Sequence, residues 1–480
     1  METTFTSPNL WPALPEMFLL GMVCIILVAD LFFKDSQRVF THWLTLGALA
    51  GTAWILARQM GNPEVVTFNG MYVADTMSTV LKLVACAVTA GVLVYARDYL
   101  KSRQIFQGEF YVLVLGALLG VMVIVSGMNF VSLYLGLELM SLCSYGLVAL
   151  QRDNGVASEA AMKYFVLGAI ASGLLLYGMS ILYGISGTLD ILTLAGWAAN
   201  AEFSAGLLLG LVFVIVGMAF KLGAVPFHMW IPDVYDGAPT AVTLFIGSVP
   251  KLAAFALFMR LLVEGLGAMH SAWQPIIVVL ALLSVGIGSV VAIAQTSLKR
   301  MLAYSTISHV GFLLMGILAG TEQGYQAAMF YTITYVIMAA AGFGMILLLA
   351  RSGFEADQLT DFAGLNRRSP WFAAMMMFVM FGMAGVPPFV GFYAKFAVIW
   401  AAVEAGLIWL AIASVVFSVV SAFYYLRLVK IMYFDEPVEG TPLLEAAADS
   451  RLVMSVNGLL ILGLGIFPGG LMTLCMRAIG

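Results

Sequence analysis

The sequence predicts an all-α polytopic membrane protein of about fourteen transmembrane helices, and three observations carry that prediction. Of 480 residues, 62% are hydrophobic and 10% charged, where a soluble domain carries about a quarter charged residues. The apolar runs are continuous and long enough to cross a hydrocarbon core, rather than alternating as barrel strands do. Lys and Arg fall on alternate loops. One side holds fourteen of them: Lys34, Arg38, Arg97, Lys101, Arg103, Arg152, Lys299, Arg300, Arg351, Arg367, Arg368, Arg427, Lys430 and Arg451. The other side holds three, Arg58, Arg260 and Arg477. Cytoplasmic loops retain positive charge, so both termini are expected to face away from the cytoplasm.

In chain order, helix one follows "METTFTSPNLWPALPEMFLL" and centres near residue 22. The stretch lacks the positive n-region of a signal peptide and its apolar run is long enough to span, so it is retained. Helices two and three, near residues 50 and 86, complete an N-terminal unit, 1–104. Helices four to eight, near 118, 140, 171, 217 and 251, form a first five-helix repeat, 105–267. Helices nine to thirteen, near 283, 309, 337, 386 and 420, form a second, 268–435. A loop end and helix fourteen, near 464, close the chain at 436–480. "EAAMKYFVLGAI" in helix six is answered by "QAAMFYTITYVI" in helix eleven, and "FKLGAVPFHMW" in helix seven by "FGMAGVPPFVGF" in helix twelve. Five is odd, so consecutive copies are inverted in the membrane. Inverted repeats with broken helices at matching places are the architecture of secondary transporters.

Five lysines fall inside spans: Lys82, Lys163, Lys221, Lys251 and Lys395. Each costs about 2.5–3.5 kcal/mol at the bilayer centre. For Lys82 the reading is snorkelling or a local pair with Asp75. Lys163, near the start of helix six, is open between snorkelling and function. Lys221 and Lys251 have two or more apolar turns on either side, which snorkelling does not span. Glu138, amid "SLYLGLELMSLCSYGLVAL", is the only acid of helix five and the matching anion. Burial disfavours the charged form of any group and an opposite charge favours it, so a Glu and a Lys that meet and part exchange protons. Pro226 breaks helix seven and deprives the Leu222 carbonyl of its helical partner; such backbone survives at depth only inside protein or beside water. His228 follows as a relay candidate or a satisfied core imidazole. Asp233 and Asp236 read as an N-cap of helix eight or solvated loop residues. His309, among Ser305, Thr306 and Ser308, marks a polar stripe between Lys251 and Lys395, or small-residue helix packing.

Other chemistries find no footing. Cys24, Cys86, Cys143 and Cys475 are far apart on apolar helices without C-x-x-C, so packing is expected, and no metal or iron–sulfur site. No G-x-G-x-x-G follows a strand, and a net charge of −4 offers nucleic acid no basic footprint. Trp54, Trp371 and Trp409 are interface anchors in the lipid bilayer.

The blocks "LYLGLELMSLCSYGLVAL", "SEAAMKYFVLGAIASGLLLYG", "FKLGAVPFHMWIPDVYDGAPT", "KRMLAYSTISHVGF", "GVPPFVGFYAKF" and "LTDFAGLNRRSP" resemble the subunit N family of bacterial proton-translocating NADH:quinone oxidoreductase (complex I), across essentially the whole chain. The resemblance implies an antiporter-like subunit of the inner membrane without a cofactor of its own. NADH, FMN, iron–sulfur clusters and quinone would lie in partner subunits, and other antiporter-like membrane-arm subunits would be neighbours. It implies proton-relay roles for Glu138, Lys221, Lys251 and Lys395, with Lys163 as a second partner of the buried network. A cation/proton antiporter, alone or as part of a multisubunit one, is the alternative, and a structural subunit without a proton path is another. The expected route enters near Lys163 or His228, runs through Lys221, Lys251 and His309, and leaves past Lys395 toward Glu404.

Overall fold

The computed structural model describes residues 7–34, 37–437 and 447–480. The first six residues of the N-terminal stretch and 438–446 of the loop before helix fourteen lie outside the described residues. Among the described residues, thirteen helices are long and apolar enough to span: Trp11–Asp30, Val39–Gln59, Thr76–Ser102, Gly108–Val125, Phe130–Val148, Gly155–Ser186, Ala205–Leu222, Thr240–Gly265, Gly267–Ile293, Leu298–Leu318, Glu322–Leu349, Ile408–Phe434 and Ala448–Ile466. They are helices one to eleven, thirteen and fourteen. Helix twelve is two shorter pieces, Pro370–Ala384 and Val390–Glu404, which makes fourteen. Helix seven is also broken: Ala205–Leu222 is followed, after Gly223–Met229, by Trp230–Gly237.

Local chemistry sets the ends. Asp75 begins helix three with a reciprocal cap, accepting from the Ser78 amide while the Ser78 hydroxyl accepts from Asp75 N–H. Asn129, Asn154, Ser204, Ser297 and Thr321 cap helices five, six, seven, ten and eleven through their side chains. Pro239, not Asp233 or Asp236, precedes helix eight. Both aspartates lie on the second piece of helix seven, because "WIPDVYDG" continues as helix rather than loop.

Helices eight, ten and eleven form the buried centre, while helices one, two, six, thirteen and fourteen carry the apolar outer surface, where Leu31, Val419 and Leu452 are exposed. Helices four and five, and nine and ten, approach through the same register. A side chain at Gly120 would strike the Gly136 carbonyl and Met140 amide; one at Gly288 would strike the Tyr304 carbonyl and Ser308 amide. His309 therefore occupies in helix ten the place of Ser141 in helix five.

One departure from the all-α reading is a β-hairpin before helix three, Val65–Thr67 paired antiparallel with Tyr72–Ala74. Its turn, Phe68–Asn69–Gly70, takes positive φ throughout, the conformation that Asn and Gly tolerate best.

Candidate functional site

Both broken helices end in the same motif. Gly223 and Gly385 adopt φ of 88° and 85°. The amides of Gly223 and Ala224 donate to Ala219 O at 2.8 Å, and those of Gly385 and Val386 to Phe381 O at 3.0 and 2.9 Å. Left-handed glycine closes a helix this way, doubling up on one carbonyl and leaving later ones open. Pro226 and Pro388, without N–H, cannot serve Leu222 O and Ala384 O.

Lysine serves them instead. Lys251 Nζ donates to Leu222 O at 2.7 Å and Lys395 Nζ to Ala384 O at 2.9 Å. The two lysines are 2% and 6% exposed, and among the described residues neither has a carboxylate in ion-pair range. Their charge is met by a carbonyl at a helix C-terminus, the negative end of the helix dipole, and by an aromatic face: Trp230 at 5.6 Å from Lys251, Phe312 at 5.0 Å from Lys395. Lys395 also donates to Ser418 Oγ at 3.1 Å. Lys251 comes from helix eight, just beyond its own interruption at Gly247–Ser248, and Lys395 from the second piece of its own helix twelve. Two different helices thus deliver an ammonium to the same backbone feature. Lys221, one residue before the freed carbonyl, has Met383 as its counterpart.

Lys221 and Glu138 do not touch. Lys221 Nζ donates to Ser141 Oγ at 2.9 Å, one turn along helix five from Glu138. Glu138 Oε1 is buried and, among the described residues, has no hydrogen-bond partner. The ion pair expected between them is therefore open, and its two halves are held a turn apart by the serine.

His309 is buried and bonded at both nitrogens: Nδ1 to Tyr331 OH at 2.6 Å and Nε2 to Tyr425 OH at 3.1 Å. Tyr425 OH continues to Ser305 Oγ at 2.5 Å, and Tyr335 OH donates to Thr306. The polar stripe of helix ten is thus a hydrogen-bonded chain, with partners on helices eleven and thirteen that no local pattern reveals. His228, in the break of helix seven, is half-buried.

Lys163 is not brought into the interior. It is half exposed, bonded at 2.8 Å to both Glu159 and Asp233. Asp233 also meets Arg300 at 3.2 Å, and Asp236 accepts from Ser297 at 2.9 Å. Beside this cluster lies a buried cation that sequence counting placed in a loop: Lys299, 3% exposed, donates to Ala238 O.

Two further ionic clusters occupy the opposite end. Lys82 neither snorkels nor pairs with Asp75; it meets Glu16 of helix one at 2.6 Å, Tyr72 OH at 3.0 Å and Ser126 Oγ at 2.6 Å. Asp75 instead receives Arg260 at 2.8 Å, and Arg260, 2% exposed, also holds Glu264 at 2.7 Å and the Val125 carbonyl. Burial presses the Asp75 carboxyl upward, but the Arg260 guanidinium and the Ser78 bonds outweigh it and hold it below the usual range. Long-range pairs of this kind have no signature in a one-dimensional pattern.

Residues 127–421 match the family model described as "NADH:quinone oxidoreductase/Mrp antiporter, TM". A relative from Thioalkalivibrio sulfidiphilus, "NADH-quinone oxidoreductase subunit N", is 59% identical over 479 residues, 99% of each chain. A chain of respiratory complex I from Thermus thermophilus is 31% identical, with a TM-score of 0.83 over 96% of this chain and 98% of its own. A chain of the Mrp complex from Dietzia shares the fold, with a TM-score of 0.83 at 21% identity over 98% and 96%.

Proposed function

Since the chain belongs to the NADH-quinone oxidoreductase subunit N family, antiporter-like in fold and multi-pass in the membrane, we propose that it moves protons along Glu138, Lys221, Lys251, His309 and Lys395. Electron transfer from NADH to quinone proceeds in partner subunits, which carry the FMN and iron–sulfur clusters; this chain contributes the buried ionisable groups. The observation that carries this reading is the pair of lysines bound to freed carbonyls. An ammonium held by a neutral dipole is balanced closely enough for the proton to leave, whereas a carboxylate partner fixes the charge in place.

Lys221 and Glu138 form the variable element. With Lys221 on Ser141, Glu138 Oε1 has no hydrogen-bond partner among the described residues; an ammonium that crosses one turn to Glu138 pairs with it. The loading side is the basic end, by way of Lys163 and Asp233 or the half-buried His228. From there protons pass to Lys251, cross the His309–Tyr425–Ser305 chain and reach Lys395. The chain resides in the bacterial inner membrane with both termini periplasmic, beside other antiporter-like subunits of the membrane arm. Release past Lys395 is then outward, toward Glu404, which accepts a hydrogen bond from Trp400.

The test is Glu138→Gln in the native complex, which keeps shape and removes the ionisable group. NADH-driven proton uptake by inverted membrane vesicles should fall several-fold while native gels show normal assembly. Wild-type pumping with normal assembly refutes the role.

A further inference from the structure

We propose that Gly223 and Gly385 are positioning residues of the relay: each shapes a cradle that holds one lysine ammonium on the carbonyl its proline has freed. The proposal rests on the relay reading above and adds the residues that set where the two charges stand.

The cradles are alike in detail. Each is a glycine in the left-handed region, one residue after the freed carbonyl and three before the proline that frees it. A Cβ at Gly223 would lie 3.6 Å from Lys251 Nζ and 2.0 Å from Ile231 Cδ1. A Cβ at Gly385 would lie 2.9 Å from Lys395 Cδ and 3.6 Å from both its Cε and its Nζ. At Gly385 the space a side chain would fill is the space the lysine stem uses; at Gly223 it is taken by Ile231, with the Lys251 ammonium in van der Waals contact beside it. At Gly385 the backbone turn and the lysine berth each require glycine; at Gly223 the turn and the packing of Ile231 against the berth do. The left-handed turn orients the last carbonyl, and at Gly385 the missing Cβ leaves room for the lysine stem that reaches it.

The duplication argues against coincidence. Nothing in the repeat dictates that Lys251 and Lys395 be equivalent, since one comes from helix eight and the other from helix twelve itself. Yet both end on the carbonyl four residues before the proline, beside a glycine of the same conformation. What the two halves share is the cradle, and the lysine arrives by whichever helix passes it.

The cradle defines the position in which each lysine is held protonated. A protonated amine is a donor without acceptor capacity, so a carbonyl is the partner that suits it. Filling the cradle displaces the charge without removing any ionisable group, which separates position from chemistry.

The experiment uses the intact complex in inverted vesicles, with Gly385→Ala, Lys395→Met and the double variant, and the corresponding Gly223→Ala and Lys251→Met set. Assembly is read from native gels and NADH:ferricyanide activity. Proton uptake is read as a function of pH. Each glycine variant should lose about tenfold in proton uptake, the change that one hydrogen bond to a charged group carries. It should also move the pH profile, and the double variant should lose no more than the lysine variant alone. A purely structural glycine would lower the amount of complex and leave the profile unmoved, which overturns the proposal. If the alanine variants fail to assemble, Gly385→Asn and Gly223→Ala with Ile231→Val decide. Asparagine tolerates the left-handed turn, and valine removes the atom nearest Gly223. Pumping lost in Lys395→Met but unchanged in Gly385→Asn refutes the cradle alone. Pumping unchanged in both lysine variants refutes the relay reading beneath it.

Discussion

Buried lysines in this chain are of two kinds, and Lys82 is the test of the distinction. Replacing Lys82 with Met removes the cation at 2.6 Å from Glu16 and strands a carboxylate that is only 8% exposed. Tyr72 still donates to Glu16 at 2.9 Å, but one phenol does not compensate a buried charge. Breaking a buried pair from one side costs about 3–5 kcal/mol, so the docking of helix one onto helix three should weaken by about two to four orders of magnitude. Replacing both partners, Glu16→Leu with Lys82→Met, leaves no stranded charge and should be within about 1–2 kcal/mol of the parent, or slightly better. Limited proteolysis and amide exchange in residues 14–30 of the detergent-solubilised complex read the docking directly. The single variant should open this segment and the double should restore it, with proton pumping by the double at parental level. If the double variant assembles well but pumps poorly, Lys82 belongs with Lys251 and Lys395 and the reasoning fails.

Lys251→Arg should abolish most proton uptake although charge is kept, because guanidinium does not deprotonate in proteins and its planar fork does not fit the berth at Leu222 O; full activity in vesicles removes Lys251 from any deprotonation step. The Asp75 carboxyl, held low by Arg260 and Ser78, contributes stability that is complete above the ordinary carboxylate range and lost only as pH falls through its own lower value. Amide exchange at the start of helix three should thus be unchanged down to about pH 4.5, above that ordinary value, whereas Asp75→Asn should raise it at neutral pH. A cysteine at position 404 should react with an impermeant reagent added from the periplasmic side only; labelling only from the cytoplasmic side reverses the proposed direction of release.

What was legible in the sequence was whatever depends on neighbours along the chain. The spans followed from apolar runs, and the break of helix seven and the orphaned Leu222 carbonyl followed from Pro226. What occupies that carbonyl did not follow, since Lys251 reaches it from another helix. Glu138 and Lys221 were found because each is the only charge at the centre of its helix, but Ser141 between them was not. Lys82 and Asp75 sit two turns apart on one helix and invited pairing, yet each is claimed by a distant residue, Glu16 and Arg260. Lys299 and Arg260 read as loop charges because counting by loops assigns sides, not depth, and both are buried. The hairpin at 65–74 was readable: "VVTFNGMYVA" places Asn-Gly between β-branched runs.

The lysine on each freed carbonyl is also the last cap of a half-helix. Leu222 O and Ala384 O are terminal acceptors of their segments, and among the described residues the ammonium is the donor that serves each. Charge at Lys251 and the setting of the joint between the two pieces of helix seven are therefore linked variables. Linkage is reciprocal: whatever free energy the proton contributes to closing the joint, a push on the joint returns to the proton. A partner that does no more than lean on the second piece of helix seven would then be an effector of protonation at a distance, with no ionisable group of its own.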